Sequence, residues 1–127
     1  MKIIVKEVCK KENIFYVTFS TKFGTGIGKW RGDIPVINNE YFVEIDIPQV
    51  LTWGEEIILI ESSGCKMLNS EGIVHFVGKI ESIEEDGCAF IRFDDILIAL
   101  ETDGNPFSIN SYIKFSVKEM TLCEIKY

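Results

Sequence analysis

Hydrophobic and polar residues alternate along most of this chain. Residues 40 to 47 place Tyr41, Val43, Ile45 and Ile47 on one face and Phe42, Glu44 and Asp46 on the other, the pattern of a half-buried strand. Residues 2 to 9 and 13 to 20 repeat it on either side of the polar stretch Lys10-Lys11-Glu12-Asn13, which predicts a hairpin. Residues 55 to 61 and 72 to 83 are further strands. Glu85-Asp86-Gly87 then makes a turn before the apolar run Cys88 to Phe93. With residues 96 to 101, 111 to 118 and 120 to 126, the chain reads as about nine short strands separated by turn signals.

Helix is nearly absent from this pattern. Its only candidate is a short turn from Pro48 to Gly54, where proline can open a helical turn and glycine can stop it. The connections are too short for helical crossovers between parallel strands, so antiparallel pairing is expected. A barrel or sandwich would close such a sheet and limit its exposed edges. The run from Gly78 to Phe93, with a glycine inside a strand, an acidic turn and an apolar return, is similar to the bent hairpins of small Greek-key barrels such as the OB-fold. The expected fold class is therefore all-β, an antiparallel barrel or sandwich.

Composition narrows the class. At 127 residues, 46% hydrophobic and 26% charged, the chain is globular and reads as one domain, 1–127, able to bury a core without disulfides or metals. No apolar run approaches the ~18 residues of a membrane span, and charge follows closely on the first apolar residues, so no membrane association and a cytosolic location are expected. Cys9, Cys65, Cys88 and Cys123 are far apart and form no C-x-x-C pair. That spacing suits neither a disulfide scaffold nor a zinc knuckle, and no metal or cofactor is expected. Cys88 and Cys123 sit in apolar runs, where free cysteine acts as a small hydrophobe.

Catalytic chemistry finds little support. His75, the single histidine, lies between Val74 and Phe76 with no local nucleophile or orienting acid. The carboxylate pairs Glu55-Glu56, Glu84-Glu85 and Asp94-Asp95 are neighbours in sequence, and strand neighbours point to opposite faces. Gly24, Gly26 and Gly28 have the wrong spacing for a dinucleotide loop, and Gly32 and Pro35 follow where a helix would have to begin, so this segment reads as a flexible surface loop. Arg31-Gly32-Asp33 reads as a chance tripeptide. Glu101, Asp103 and Asn105 lack the rest of a calcium loop. The chain is expected not to be an enzyme.

Nucleic acid is the alternative partner. Lys22, Phe23, Lys29, Trp30 and Arg31 form one basic and aromatic cluster that could bind single-stranded nucleic acid or another ligand, provided that Trp30 and Arg31 share an open face. The overall net charge of −7 opposes this reading. Trp30 and Trp53 are expected as core or loop anchors.

Charge distribution is the most informative feature. Between residues 81 and 103 lie Glu81, Glu84, Glu85, Asp86, Asp94, Asp95, Glu101 and Asp103, opposed only by Arg92, while the rest of the chain balances 12 acids with 12 bases. Residues 1 to 40 carry 7 bases and 4 acids. The acidic segment is expected to be a docking face for a basic protein, giving association speed more than affinity. Phe90 or Phe107 would supply a desolvated centre. A small, acidic, mostly β protein with free cysteines and no catalytic motif resembles the bacterial immunity proteins that neutralise secreted toxins, including those of contact-dependent growth inhibition. The stretches Phe23 to Trp30, Tyr41 to Ile47 and Leu51 to Gly54 are similar in character to that group. The resemblance implies a cytoplasmic inhibitor that covers the active surface of a basic toxin, and it assigns a role to no individual residue.

Overall fold

The computed structural model describes residues 1–126 and contains strands without any helix among them. Tyr127, the last residue of the expected domain, lies outside the described residues. The strands are β1 (Lys2–Lys11), β2 (Ile14–Thr21), β3 (Gly24–Arg31), β4 (Glu40–Asp46), β5 (Val50–Thr52), β6 (Ile57–Leu59), β7 (Lys66–Ser70), β8 (Ile73–Ile83), β9 (Cys88–Phe93), β10 (Ile96–Asp103), β11 (Tyr112–Val117) and β12 (Thr121–Glu124).

Alternation fixes which side of each strand is buried. In β10, Ile98 and Leu100 are fully buried while Leu97, Ala99 and Glu101 face out. In β9, Ala89, Ile91 and Phe93 are buried, and Cys88, Phe90 and Arg92 form the other face. β1 to β3 and β7 to β10 meet consecutively in antiparallel hairpins, and the β1–β2 turn uses Glu12 and Asn13 at φ 52° and 65°, a left-handed pair that asparagine tolerates well.

The sheet order closes on itself. β1, β2, β3, β12 and β4 form a five-stranded barrel, because β12 pairs with β4 on one side and with β3 on the other. This is the closed β barrel expected, built however from residues 2–46 and 121–124 instead of from the Gly78–Phe93 hairpin. The intervening chain forms a second curved sheet in which β8 is central, flanked by β7 and β9 along one edge and β11 along the other. One continuous apolar cluster joins the two parts, with Phe76 stacked on Phe115 at 4.9 Å and set edge-on to Phe93 at 5.5 Å.

Three expectations need correction. Pro48 to Gly54 holds no helical turn: Val50 to Thr52 are extended and pair in parallel with Glu101 to Asp103, which lets Leu51 point inward and become fully buried. Not every pairing is antiparallel, since β3 meets β12 and β7 in parallel as well. These partners are distant in sequence, so the short-connection argument does not reach them.

The third correction concerns Gly24 to Gly28, which is not a loop but the middle of the barrel. Glycine is needed there because neighbours occupy the space a side chain would fill. A Cβ on Gly26 would lie 2.5 Å from the Phe19 ring and 2.9 Å from the Met67 sulfur. Gly26→Ala should therefore destabilise the fold by about 1–3 kcal/mol, whereas Gly64→Ala, at a position with nothing within 4 Å, should stay within about 0.5 kcal/mol of wild type. Urea unfolding of the two variants checks the contrast; equal stabilities would remove the packing explanation.

Candidate functional site

The tip of the β8–β9 hairpin is a turn of four residues, Glu84-Glu85-Asp86-Gly87. Glu84 donates its N–H to Cys88 O at 2.8 Å, Gly87 donates to Glu84 O at 3.1 Å, and Gly87 itself adopts φ 90°. The Asp86 carboxylate accepts the Cys88 N–H at 3.0 Å, an arrangement that explains aspartate at this position. The turn is then clamped to β10, because Gly87 O accepts both the N–H of Thr102 at 3.0 Å and its hydroxyl at 2.6 Å.

That clamp gathers charge from two strands. Glu101 lies opposite Cys88 in the β9–β10 ladder, and Asp103 follows on the same outward face. Glu84, Glu85, Asp86, Glu101 and Asp103 are all exposed at this end, and none has a cationic partner among the described residues. Beside them the buried Trp53 donates its main-chain N–H to Asp103 O at 3.0 Å, and its ring packs edge-to-face with Phe107 at 5.3 Å. Trp53, Pro106, Thr102 and the acidic turn line a concavity of about 290 Å³.

Cys88 reports the field of this end. Its half-buried thiol is pushed above its ordinary value, first by desolvation and then by the carboxylates of Asp86, Glu84 and Glu101. The thiol form is therefore favoured and nucleophilic reactivity is suppressed. The other three cysteines are also free.

The other predicted site residues lie elsewhere. Glu81 is held mid-sheet by Arg92 in a bidentate pair, with N–O distances of 3.0 to 3.2 Å. Asp94 and Asp95 form the β9–β10 turn, at the far end of β9, about 17 Å from Cys88 at ~3.3 Å per residue. There Asp94 faces Lys22 at 3.5 Å and Asp95 faces the amino group of Met1 at 3.8 Å. The eight acids thus form one group of five at an end, a turn of two at the opposite end, and one neutralised residue between them. A single continuous acidic face does not exist. Asp94 and Asp95 separate from the rest because a strand of six residues keeps the two turns of its hairpins apart.

The alternative site is also resolved in position. Trp30 is 6% exposed, packs edge-to-face on Tyr41 at 5.2 Å and donates its indole N–H to Asp33 O at 2.6 Å. It shares no open face with the exposed Arg31, so the Lys22 to Arg31 segment offers no indole for a base to stack on. His75 Nδ1 lies 2.6 Å from Ser116 Oγ across the β8–β11 ladder. Phe90 is half-buried on the outer face of β9, two residues from Cys88 and opposite Ala99, and Phe107 adjoins the tip through Trp53. Among the described residues, no group of three or more His, Cys, Asp or Glu is placed to hold a metal ion.

No family model, no curated protein and no solved structure matches this chain.

Removing the neighbouring charges should release the thiol. Glu84→Gln, Asp86→Asn and Glu101→Gln together should lower the Cys88 pKa and accelerate its alkylation by iodoacetamide at pH 8 by several-fold relative to wild type. The contribution to stability from the raised thiol pKa is fully present below the unfolded value and is lost as pH rises through the folded one. Mass spectrometry of the Cys88 peptide against time measures the rate; an unchanged rate would show that these carboxylates do not set the field at the tip.

Proposed function

We propose that this protein is a non-catalytic protein-binding module, a cytosolic immunity protein that inhibits a basic protein toxin by covering its active surface. The observation that carries the reading is the group of five carboxylates at the β8–β9 tip, without cationic partners among the described residues, set around a concavity with Pro106 and the edge of the buried Trp53 in its wall. Solubility alone would be served as well by dispersed charge. Gathered charge instead raises the rate of encounter with an opposite surface, and speed is what an inhibitor of a harmful enzyme requires.

Charge steers, and Pro106 with the half-buried Phe107, which packs on the buried Trp53, supplies apolar area next to it. A loop of the partner bearing lysine or arginine would meet Glu84, Glu85 and Asp86 first and then settle against that step. Exposed pairs contribute only about 0.2–1 kcal/mol each, so most of the affinity would come from the desolvated contacts behind them.

The experiment begins with the product of the reading frame immediately upstream of this one, coexpressed and tested for copurification. With the complex in hand, reversing Glu84, Glu85 and Asp86 to lysine should slow association about tenfold or more at low salt and flatten its salt dependence, with a smaller change in dissociation. Unaltered association kinetics in the triple variant would take the acidic tip out of the mechanism.

A further inference from the structure

The strand phase along β10 leaves main-chain groups exposed in a groove. Thr102 donates its N–H to Gly87 O at 3.0 Å, which fixes the phase of the β9–β10 ladder. Residues 96, 98, 100 and 102 therefore turn their N–H and C=O groups toward β9. Residues 97, 99, 101 and 103 turn theirs to the other edge. Along that edge β5 pairs with Glu101 to Asp103 only. Leu97 and Ala99 are left with both main-chain groups directed outward, and among the described residues no strand reaches them.

The facing wall has the same property. Ile125 donates its N–H to Phe42 O at 2.8 Å, so residues 42, 44 and 46 of β4 turn toward β12 and Ile45 turns the other way. On that side Val43 exchanges hydrogen bonds with Met1, at 2.9 and 3.1 Å, and among the described residues no strand pairs with Ile45 there. β4 and β10 thus approach each other without pairing. The space between them is a concavity of about 620 Å³, within the range of built binding clefts, with Leu97 and Ala99 on one side and Ile45 and Ile125 on the other.

We infer that this groove binds an extended segment of a partner protein by strand addition to β10, and that the segment carries lysine or arginine at alternate positions with apolar residues between them. The open main-chain groups at residues 97 and 99 match the hydrogen-bonding pattern of an added β-strand. Alternation then sends one set of its side chains toward Ile45 and Ile125 and the other toward the outward row of β10.

The charge of the groove selects the second set. Its two cations already have carboxylate partners, the Met1 amino group with Asp95 and Arg92 with Glu81. Glu44 on the opposite wall and Glu101 at the end of the open edge have no cationic partner among the described residues. A second copy of this chain would bring the same carboxylates against themselves, and like charges across a strand pair are unfavourable. The groove lies apart from the β8–β9 tip and shares only Glu101 with it, so either surface stands if the other fails.

The probe is a blocked peptide of alternating lysine and valine, about ten residues long, and the readout is amide hydrogen exchange of the whole protein followed by NMR. In the free protein, the Leu97 and Ala99 amides should exchange much faster than those of Ile98 and Leu100. The peptide should slow Leu97 and Ala99 by at least about tenfold, and a glutamate–valine peptide should not. N-methylating the valines or the lysines of the probe should abolish the protection in one of the two phases. Three outcomes would overturn the inference. The first is full protection of Leu97 and Ala99 in the free protein, and the second is protection by the probe that survives methylation in both phases. The third is protection that grows with protein concentration alone, which would assign the edge to a second copy.

Discussion

The fold depends on how closely β12 can approach β3. After leaving the first barrel at β4 the chain builds an entire second sheet, and β12 then returns to lie parallel to β3 and close the ring. Lys29 donates its N–H to Met120 O at 2.9 Å, so Met120 is held directly over β3. A Cβ at Gly28 would meet Met120 at 3.1 Å, and one at Gly24 would overlap Met67 O at 1.7 Å. β3 therefore accepts neighbours that a strand with ordinary side chains would hold off. The glycines cost conformational entropy on folding, which is offset by the burial of Phe19, Met67, Met120 and Leu122 around them.

That closure decides what the rest of the molecule can present. Because residues 47–120 form an excursion between two strands of one barrel, β4 and β10 are brought side by side although neither completes the other's hydrogen bonding. The same excursion carries the β8–β9 tip away from the barrel, where the acidic turn meets little basic surface. The contacts nearest the barrel are Lys22 with Asp94 and Met1 with Asp95, and these serve the opposite turn. Positive charge in the first third of the sequence and negative charge in the later hairpins thus meet at the junction between the two sheets, and the surplus is left at the free end.

Much of the fold was legible because period two is a local property. β2, β4 and the run from β9 to β11 alternate cleanly, whereas β1 loses its alternation past Val5 and β8 buries Phe76, Val77 and Gly78 in succession. β3 was hidden because its glycines serve contacts not only with Phe19 in the adjacent hairpin strand but with Met67 and Met120, both distant in sequence. β5 was hidden by Pro48 and Gly54, which bound a short strand as readily as a helical turn. β7 has one buried apolar residue, Met67, and an exposed one, Leu68 at 59%, so it alternates against hydrophobicity. The candidate site was legible as a charge run and misleading as a surface. A linear count from 81 to 103 adds the two ends of one hairpin strand together, although folding sets them about 17 Å apart. Strand alternation within that run, with Glu101 opposite Cys88, held the information that joins Glu101 to the turn at residues 84–86.

The carboxylates that remain unpaired act on both open features of the molecule. An open strand edge flanked by apolar residues is a hazard, since any extended chain can pair with it, and charge at its margins is the usual protection. Glu44 lines the β4–β10 groove and Glu101 stands at the end of its open edge, and the carboxylates of Glu84, Asp86 and Glu101 raise the cost of ionising Cys88 at the tip. Charge that excludes a second copy does not exclude every chain, because the same field that repels an acidic edge attracts a basic one. Glu101 belongs to both places: its side chain faces Cys88 at the tip, and its main chain ends the open part of the β10 edge. Protection from self-association and selection of a basic partner are consequences of one charge distribution, and they cannot be separated by moving a single carboxylate.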